Sequence, residues 1–140
     1  RGEDRPDKEA VRYSKVVESQ VPMQDGWPVF DVILLGAGGD GHTSSIFPGQ
    51  EKLLSSDRIY EVSYNPSNGQ KRIAMTGCPI VNARRVIFLI TGRSKAEVVE
   101  EICTSGDTGP AAYIAHHAKN VELFLDDYAA ANINREEIPD

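Results

Sequence analysis

Two short runs of almost purely apolar residues place the strongest limit on the fold of this chain: VFDVILL at residues 29–35 and RVIFLIT at residues 85–91. A strand that is apolar on both of its faces is typical of a parallel sheet covered on both sides. Around these runs the sequence alternates between strand-like and helix-like segments. This alternation predicts an α/β domain with a mostly parallel sheet.

The other segments fit the same architecture. A helix is predicted to begin at Pro6, because apolar residues recur at helical spacing after it. Ser94 and Glu97 have the spacing of a capping box at the start of a second helix over residues 93–106. We also expect strands at residues 58–64, 71–76 and 121–127, and short helices at residues 42–47, 78–84 and 128–133.

Composition excludes several classes of function. The chain has 140 residues, so we expect one α/β domain over residues 1–140. Its net charge of −6 gives no overall positive field that would attract nucleic acid or anionic lipid. No apolar run approaches the roughly 18 residues of a membrane span. Cys78 and Cys103 lie in apolar stretches outside any zinc-ligand spacing, which favours buried thiols in a reducing, cytoplasmic compartment.

The first apolar run leads into a glycine-rich loop, GAGGDG at residues 36–41, which matches the dinucleotide-binding pattern G-x-G-x-x-G. That pattern needs a helix of several turns after its third glycine. Pro48 and Gly49 end any such helix early, and Asp40 places a carboxylate beside the position where a pyrophosphate would lie. Dinucleotide binding is therefore disfavoured, although it stays open, as does a loop whose glycines serve only as a tight turn.

Asp40 and His42 give the same loop a different chemistry. Ligands of open α/β sheets bind at the carboxyl ends of the strands, where this loop lies. A histidine can take a proton from water at neutral pH, and a neighbouring carboxylate can orient the imidazole and favour its protonated form. Glycines let backbone amides approach a ligand and stabilise an oxyanion. We therefore interpret the loop as the site at which water attacks an activated carbonyl.

Lys95 and Arg72 are the basic candidates. Lys95 directly follows Ser94 at the predicted helix start, where a cation opposes the helix dipole. This position makes sense if the lysine and the helix amino terminus bind a phosphate together. Arg72 begins the strand predicted at residues 71–76. Taken alone, each residue is equally well explained as an exposed surface charge.

Two further pairs are less informative. Ser44 and Ser45 follow His42 closely and are interpreted as helix-start or pocket-wall residues, because the chain lacks the G-x-S-x-G pattern of a serine nucleophile. His116 and His117 are adjacent, so we expect their side chains to point apart and to form no metal site.

The stretch LLGAGGDGHTSSIFPG closely resembles the 6-phosphogluconolactonase signature, a strand followed by G-x-G-x-D-G-H-T-x-S-[IL]-F-P-G. Further segments follow in the order of that family: KRIAMTGCPIVNARRVIFLITGRSKAEVV, GPAAYI and LFLDDYAA. The resemblance covers essentially the whole chain. It implies a Rossmann-like three-layer α/β sandwich with helices on both faces of the sheet, as in ribose-5-phosphate isomerase and glucosamine-6-phosphate deaminase.

The resemblance also implies an activity, the hydrolysis of 6-phosphoglucono-δ-lactone to 6-phosphogluconate in the pentose phosphate pathway, with neither metal nor organic cofactor. His42 matches the general base of the family, and Asp40 is its neighbour in the motif. Lys95 matches the phosphate-binding lysine, and Arg72 matches a basic position at the substrate pocket. The loop is expected to complete the substrate site through Gly38, Gly39, Gly41 and Thr43.

Phe47 separates the two branches of the superfamily. Deaminases continue the motif as G-H-I-A-F-N-E-P, with a glutamate that assists ring opening, whereas here Phe47 stands in its place and cannot relay a proton. The lactonase interpretation is therefore preferred. A deaminase or isomerase of the same fold, and a non-catalytic module that binds phosphosugars or nucleotides, are the alternatives.

The chain departs from the family in one respect. The N-terminal part of the family, with a Ser-Gly-Gly-Ser-type phosphate loop and an Asp-Glu-Arg segment, has no counterpart here. We therefore expect the chain to form the C-terminal portion of a lactonase-like domain, without the first strands and without half of the phosphate site.

Overall fold

Helices and strands alternate along residues 1–104 and 106–133, the part of the chain that the computed structural model describes. The helices are α1 (Pro6–Gln20), α2 (Gly77–Val81), α3 (Ala96–Cys103) and α4 (Pro110–His117). The strands are β1 (Met23–Gln24), β2 (Trp27–Pro28), β3 (Val32–Leu35), β4 (Tyr60–Tyr64), β5 (Lys71–Met75), β6 (Arg85–Ile90) and β7 (Val121–Leu125). Single 3-10 turns form at Glu51–Leu53 and Arg93–Lys95.

The main sheet has three parallel strands in the order β3-β6-β7. Parallel neighbours need a long crossover connection, and α3 and α4 supply it between β6 and β7. The prediction of a mostly parallel α/β sheet is confirmed. The carboxyl ends of β3 and β6 lie side by side, because Leu35 pairs with Phe88.

One face of this sheet forms the core. Along β6, Val86, Phe88 and Ile90 are buried, as expected for alternate residues that point to one face of a strand. They form one hydrophobic cluster with Val99 of α3 and Ile114 of α4. Burying a side chain of this size stabilises the fold by roughly 1.5–3 kcal/mol. The helices α3 and α4 are therefore held against the strands whose ends carry the loops described below.

The opposite face of the sheet is exposed. Val32 and Leu34 of β3, Leu89 of β6 and Phe124 of β7 keep 47%, 65%, 56% and 52% of their surface exposed. The prediction that the two apolar runs are buried on both faces is therefore wrong for residues 1–104 and 106–133. The composition of the two runs suits burial on both faces of the sheet. The described helices cover only one of those faces.

A hairpin lies apart from the main sheet. The antiparallel strands β4 and β5 pair along their whole length, and α1 packs against them. The Tyr13 ring of α1 meets the Tyr60 ring of β4 edge-on, with ring centroids 5.0 Å apart. Burial, and then the neighbouring Tyr13, raise the pKa of Tyr60 to about 12. The Tyr60 amide also donates to the Ser14 hydroxyl at 3.2 Å. The side chains of Tyr13 and Ser14 therefore both attach α1 to the hairpin.

Two predicted helix features are wrong. The Ser94–Glu97 capping box does not form, because the 3-10 turn delays the start of α3 to Ala96 and no side chain of the described residues caps that end. Residues 127–132 form turns in place of the predicted short helix. The Asp126 carboxylate accepts the Ala129 amide at 2.8 Å and so stabilises this turn instead.

Three other expectations have different outcomes. Cys78 is half-buried, but Cys103 is exposed at the end of α3, so its predicted burial is wrong. Among the described residues, no helix combines the length and the apolar character that crossing a membrane requires. A single domain over residues 1–140 stays a prediction, since residues 134–140 lie outside the described part.

Candidate active site

The glycine-rich loop folds back on itself directly after β3. The Gly38 amide donates to the His42 carbonyl at 2.9 Å, and the Gly41 amide donates to the Gly38 carbonyl at 2.9 Å. Gly41 has a φ of +94°, a conformation that favours glycine. The buried Thr43 closes the loop, because its hydroxyl donates to the Gly36 carbonyl at 2.7 Å. The loop is therefore held by its own backbone hydrogen bonds and by the Thr43 hydroxyl.

Asp40 and His42 form a hydrogen-bonded pair on this loop. The distance from His42 Nδ1 to Asp40 Oδ1 is 2.6 Å, and the His42 amide donates to the same oxygen at 3.0 Å. Partial burial raises the pKa of Asp40, but the bonds from the His42 amide and imidazole outweigh it and hold that pKa below its usual value of 3.8. A carboxylate facing Nδ1 makes Nδ1 the proton-bearing nitrogen of the neutral ring. Nε2 is then left with the lone pair that a general base uses.

The chain turns sharply after His42. Thr43 and Ile46 bridge each other, with N···O distances of 3.3 and 2.8 Å, and between them Ser44 and Ser45 have φ values of +53° and +60°. Positive φ costs a non-glycine residue about 1–2 kcal/mol, so this turn is strained. The predicted short helix at residues 42–47 is wrong, because the turn bridges Thr43 to Ile46 where a helix would continue. No helix begins at Gly41 in the described structure, so the element that would bind a pyrophosphate in a dinucleotide site is missing from this loop.

Lys95 reaches the same loop from the neighbouring strand. After β6, Gly92 adopts a φ of +98° and its amide donates to the Asp126 carboxylate at 3.0 Å, which redirects the chain into the 3-10 turn. Lys95 then lies at the start of α3, and its Nζ donates to the Ala37 carbonyl at 2.9 Å. The N-cap residue of α3 therefore places its ammonium group beside the glycine loop.

These parts enclose an open cleft of about 320 Å³. Its lining combines an imidazole, an ammonium group and small residues: Gly36, Ala37, Gly38, His42, Thr43, Ser44, Ser45 and Lys95. The interpretation of Ser44 and Ser45 as pocket-wall residues is confirmed. Among the described residues, no group of three or more His, Cys, Asp or Glu side chains is placed to hold a metal ion.

Three predicted substrate residues do not line this cleft. Gly39 passes next to Ser94, whose carbonyl would lie 3.4 Å from a Cβ at Gly39. The Gly41 carbonyl accepts the Ala111 amide of α4 at 2.9 Å, so Gly41 faces that helix. Arg72 lies with its guanidinium carbon 5.6 Å from the centroid of the Phe47 ring. Substrate contacts of these residues, and of Lys95, Gly38 and Thr43, stay predictions.

Two contacts near the site were not foreseen from the sequence. The Phe47 ring lies against the His42 ring, with centroids 4.6 Å apart and planes inclined by 32°. The α4 helix meets the loop through the Ala111–Gly41 bond. The first contact needs a turn between His42 and Phe47 that the local pattern does not indicate, and the second joins segments far apart in the sequence. Pro110 in the first turn of α4 is a helix-start signal in the sequence.

The two adjacent histidines converge, contrary to prediction. His116 Nδ1 lies 3.2 Å from Asp107 Oδ1, and His117 Nε2 lies 3.0 Å from Asp107 Oδ2. His116 Nε2 also lies 2.8 Å from the Ile102 carbonyl. Their convergence follows from the loop before α4, which folds back so that both oxygens of one carboxylate are within reach. The bonds with His117 and then His116 hold the pKa of Asp107 below its usual value.

The fold and the loop define an α/β protein with a candidate site at the carboxyl ends of adjacent parallel strands. Residues 1–124 match the family of glucosamine-6-phosphate isomerases/6-phosphogluconolactonase. The chain belongs to this family.

Individual proteins that resemble this chain support the family assignment. A 6-phosphogluconolactonase of Treponema pallidum is 40% identical over 118 residues, which are 84% of this chain and 47% of that protein. The crystal structure of devB protein superposes with a TM-score of 0.88 at 40% identity, covering 95% of this chain and 57% of the other. The 6-phosphogluconolactonase from Trypanosoma brucei has a TM-score of 0.81 at 34% identity, over 91% of this chain and 53% of the other.

A monomeric glucosamine-6-phosphate deaminase shares the fold, with a TM-score of 0.71 at 26% identity over 90% of this chain and 54% of the other. The expected likeness to the deaminase fold is thereby confirmed. The chain spans about half the length of the curated relatives that it matches.

Proposed function

We propose that this chain carries the general base of a lactonase that hydrolyses 6-phosphoglucono-δ-lactone to 6-phosphogluconate. One observation carries the proposal: His42, hydrogen-bonded to Asp40, lines an open cleft that Lys95 also lines. The names of the relatives in Treponema pallidum and Trypanosoma brucei supply the substrate class.

The chemistry follows from the orientation of the imidazole. Asp40 holds Nδ1, so Nε2 takes a proton from water while the water oxygen bonds to the lactone carbonyl carbon. When the tetrahedral intermediate collapses, the bond from that carbon to the ring oxygen breaks. The imidazolium returns its proton to the departing ring oxygen, and the product is an open-chain carboxylic acid. The Asp40 carboxylate stabilises the imidazolium between the two steps.

The phosphate is assigned to Lys95. Lys95 is the N-cap residue of α3 and its ammonium group donates to the Ala37 carbonyl, so a phosphate at the loop would meet a cation carried by a helix amino terminus. Arg72 is proposed as a more distant positive charge at the substrate pocket. The Gly38, Gly41, His42 and Thr43 amides donate within the loop or to Asp40, so these four amides are not available to an oxyanion.

We propose that the reaction belongs to the pentose phosphate pathway and takes place in the cytoplasm. The substrate in the names of the relatives supports the pathway, and the half-buried Cys78 thiol suits a reducing compartment. Cell fractionation with an antibody against the chain tests the compartment; recovery in a secreted fraction would contradict it.

The activity is tested by lactone hydrolysis with the protein at its full natural length. His42→Ala is expected to lower kcat by about 10²–10⁴-fold, the range for loss of a general base. His117→Ala is the matched control, because it removes a histidine that lies outside the cleft. Equal rates for His42→Ala and the unaltered protein would refute His42 as the base. Release of ammonia from glucosamine-6-phosphate would instead establish a deaminase.

A further inference from the structure

Phe47 is placed to do more than distinguish the two branches of the family. Its side chain is 1% exposed, and its ring lies 4.6 Å from the His42 ring, centroid to centroid. That separation is within the range of favourable aromatic contacts. The Arg72 guanidinium lies 5.6 Å from the centroid of the Phe47 ring, close enough for a cation–π contact. Three side chains from two separate segments thus form one continuous contact.

We propose that Phe47 is a positioning residue for His42: its ring fixes the orientation of the imidazole so that Nε2 faces the substrate. This role rests on the proposed lactonase function and deepens it. Phe47 itself moves no proton and acts only through the histidine.

The need for such a residue follows from the geometry of the pair. A single side-chain bond, 2.6 Å from Nδ1 to Asp40 Oδ1, locates one atom of the imidazole. This one contact does not fix both side-chain torsions of His42, and the side chains of His42 and Asp40 are 32% and 48% exposed. A flat apolar surface against the ring removes this freedom. Asp40 therefore determines the tautomer of the His42 imidazole, and Phe47 determines the orientation of the imidazole plane.

A strained backbone turn places Phe47 against the His42 ring. The strained turn at Ser44 and Ser45 reverses the chain, so that a residue five positions after His42 returns to its ring. Strain of this kind persists where the surrounding structure holds it, and it occurs preferentially at functional sites. The neighbouring Ile46 is fully buried and anchors the end of the turn in the core.

Arg72 supports Phe47 from the hairpin. It lies on β5 opposite Ser63 of β4, and its guanidinium extends over the Phe47 ring. The contact connects the hairpin layer to the glycine loop. Loss of the guanidinium is expected to loosen the Phe47 ring without removing it, so its effect on His42 should be smaller than that of Phe47 itself.

The test compares two buried phenylalanines in the protein at its full natural length. Phe47→Leu removes the ring beside His42, whereas Phe88→Leu removes an equally buried ring from β6 in the core. We expect Phe47→Leu to lower kcat by about 10–10²-fold with KM unchanged, the loss typical of a misplaced catalytic group. Phe88→Leu is expected to lose thermal stability to a similar degree while keeping its kcat. Unchanged kcat in folded Phe47→Leu would overturn the proposal.

NMR gives a readout that does not depend on activity. In the unaltered protein we expect nuclear Overhauser effects between the ring protons of Phe47 and those of His42. Phe47→Leu should remove the ring-current shift of the His42 signals, and Phe88→Leu should leave it. Absence of the Overhauser effects in the unaltered protein would overturn the proposal even if Phe47→Leu failed to fold. If no lactone were hydrolysed, the proposed function would fail while this measurement still decided the contact.

Discussion

Gly38→Ala is the sharpest perturbation of the Asp40–His42 pair, because the added methyl group would occupy space that the pair fills. A Cβ at Gly38 would lie 2.1 Å from His42 Nδ1, 2.2 Å from His42 Cε1 and 2.6 Å from Asp40 Oδ1. The φ angle of Gly38 is outside the left-handed region, so alanine meets no backbone penalty there. Any effect of the substitution therefore comes from the clash with the pair.

The size of the effect follows from these distances. Real Cβ atoms essentially never approach another heavy atom to less than 3.0 Å, so the imidazole and the Gly38 backbone must move apart by about 0.9 Å or more. A displacement of about 1 Å can cost about 10²-fold in rate, and complete loss of a general base costs about 10²–10⁴-fold. We therefore expect kcat to fall by about 10²–10⁴-fold, equivalent to about 2.7–5.4 kcal/mol of transition-state stabilisation.

The assay is lactone hydrolysis by the protein at its full natural length, with circular dichroism to show that each variant is folded. Gly36→Ala is the matched control, since a Cβ there would have no heavy atom within 4 Å and the backbone also lies outside the left-handed region. It is expected to alter kcat far less. A folded Gly38→Ala protein with the kcat of the unaltered protein would refute the geometry of the pair, and equal losses in both variants would show a general sensitivity of the loop.

Three further predictions concern phosphate recognition, pH dependence and the open sheet face. Lys95→Met should raise KM for 6-phosphogluconolactone by about 10–10²-fold, the factor that corresponds to the free energy of one charge-assisted hydrogen bond. Hydrolysis of unphosphorylated gluconolactone should be unchanged, and equal changes for both lactones would contradict a phosphate contact. The bonds from His117 and His116 lower the pKa of Asp107 in the folded protein. The Asp107 carboxylate therefore stabilises the fold at every pH above its pKa in the unfolded chain. This stabilisation is lost as the pH falls through the lowered pKa of the folded protein. Urea unfolding should accordingly show Asp107→Asn to be less stable than the unaltered chain near neutral pH and equally stable below the lowered pKa, whereas a pH-independent difference would refute the linkage. The 140-residue chain should bind an apolar fluorescent dye at its open face, and the double variant Leu34→Ser, Leu89→Ser should bind less of it; unchanged binding would place the dye elsewhere.

Local sequence predicted the elements well where the apolar residues form a clear run or a clear helical period. The runs VFDVILL and RVIFLIT contain β3 and β6, and the helix predicted from Pro6 is α1. Apolar side chains at a given spacing can be buried together in only one kind of element. The spacing of apolar residues along the chain therefore indicates whether a segment forms a helix or a strand.

The errors occur where distant parts of the chain decide the conformation. The segment from His42 to Phe47 has no proline or glycine that forbids a helix, yet it forms a strained turn anchored by the buried Ile46. The predicted cap at Ser94 fails because Gly92, bonded to Asp126, shifts the start of α3. In each case a tertiary contact outweighs a local preference worth about 1 kcal/mol.

The sequence by itself determined the chemistry that this protein can offer. Asp40 and His42 are two positions apart on a loop after a strand, so their meeting is a local event that spacing alone predicts. Only the tertiary structure decided what surrounds them. Lys95 reaches the loop across 58 residues because β3 and β6 are neighbours, and Phe47 reaches His42 because the core holds a strained turn. Such contacts depend on which strands pair and which side chains share a core, and these are properties of the whole fold.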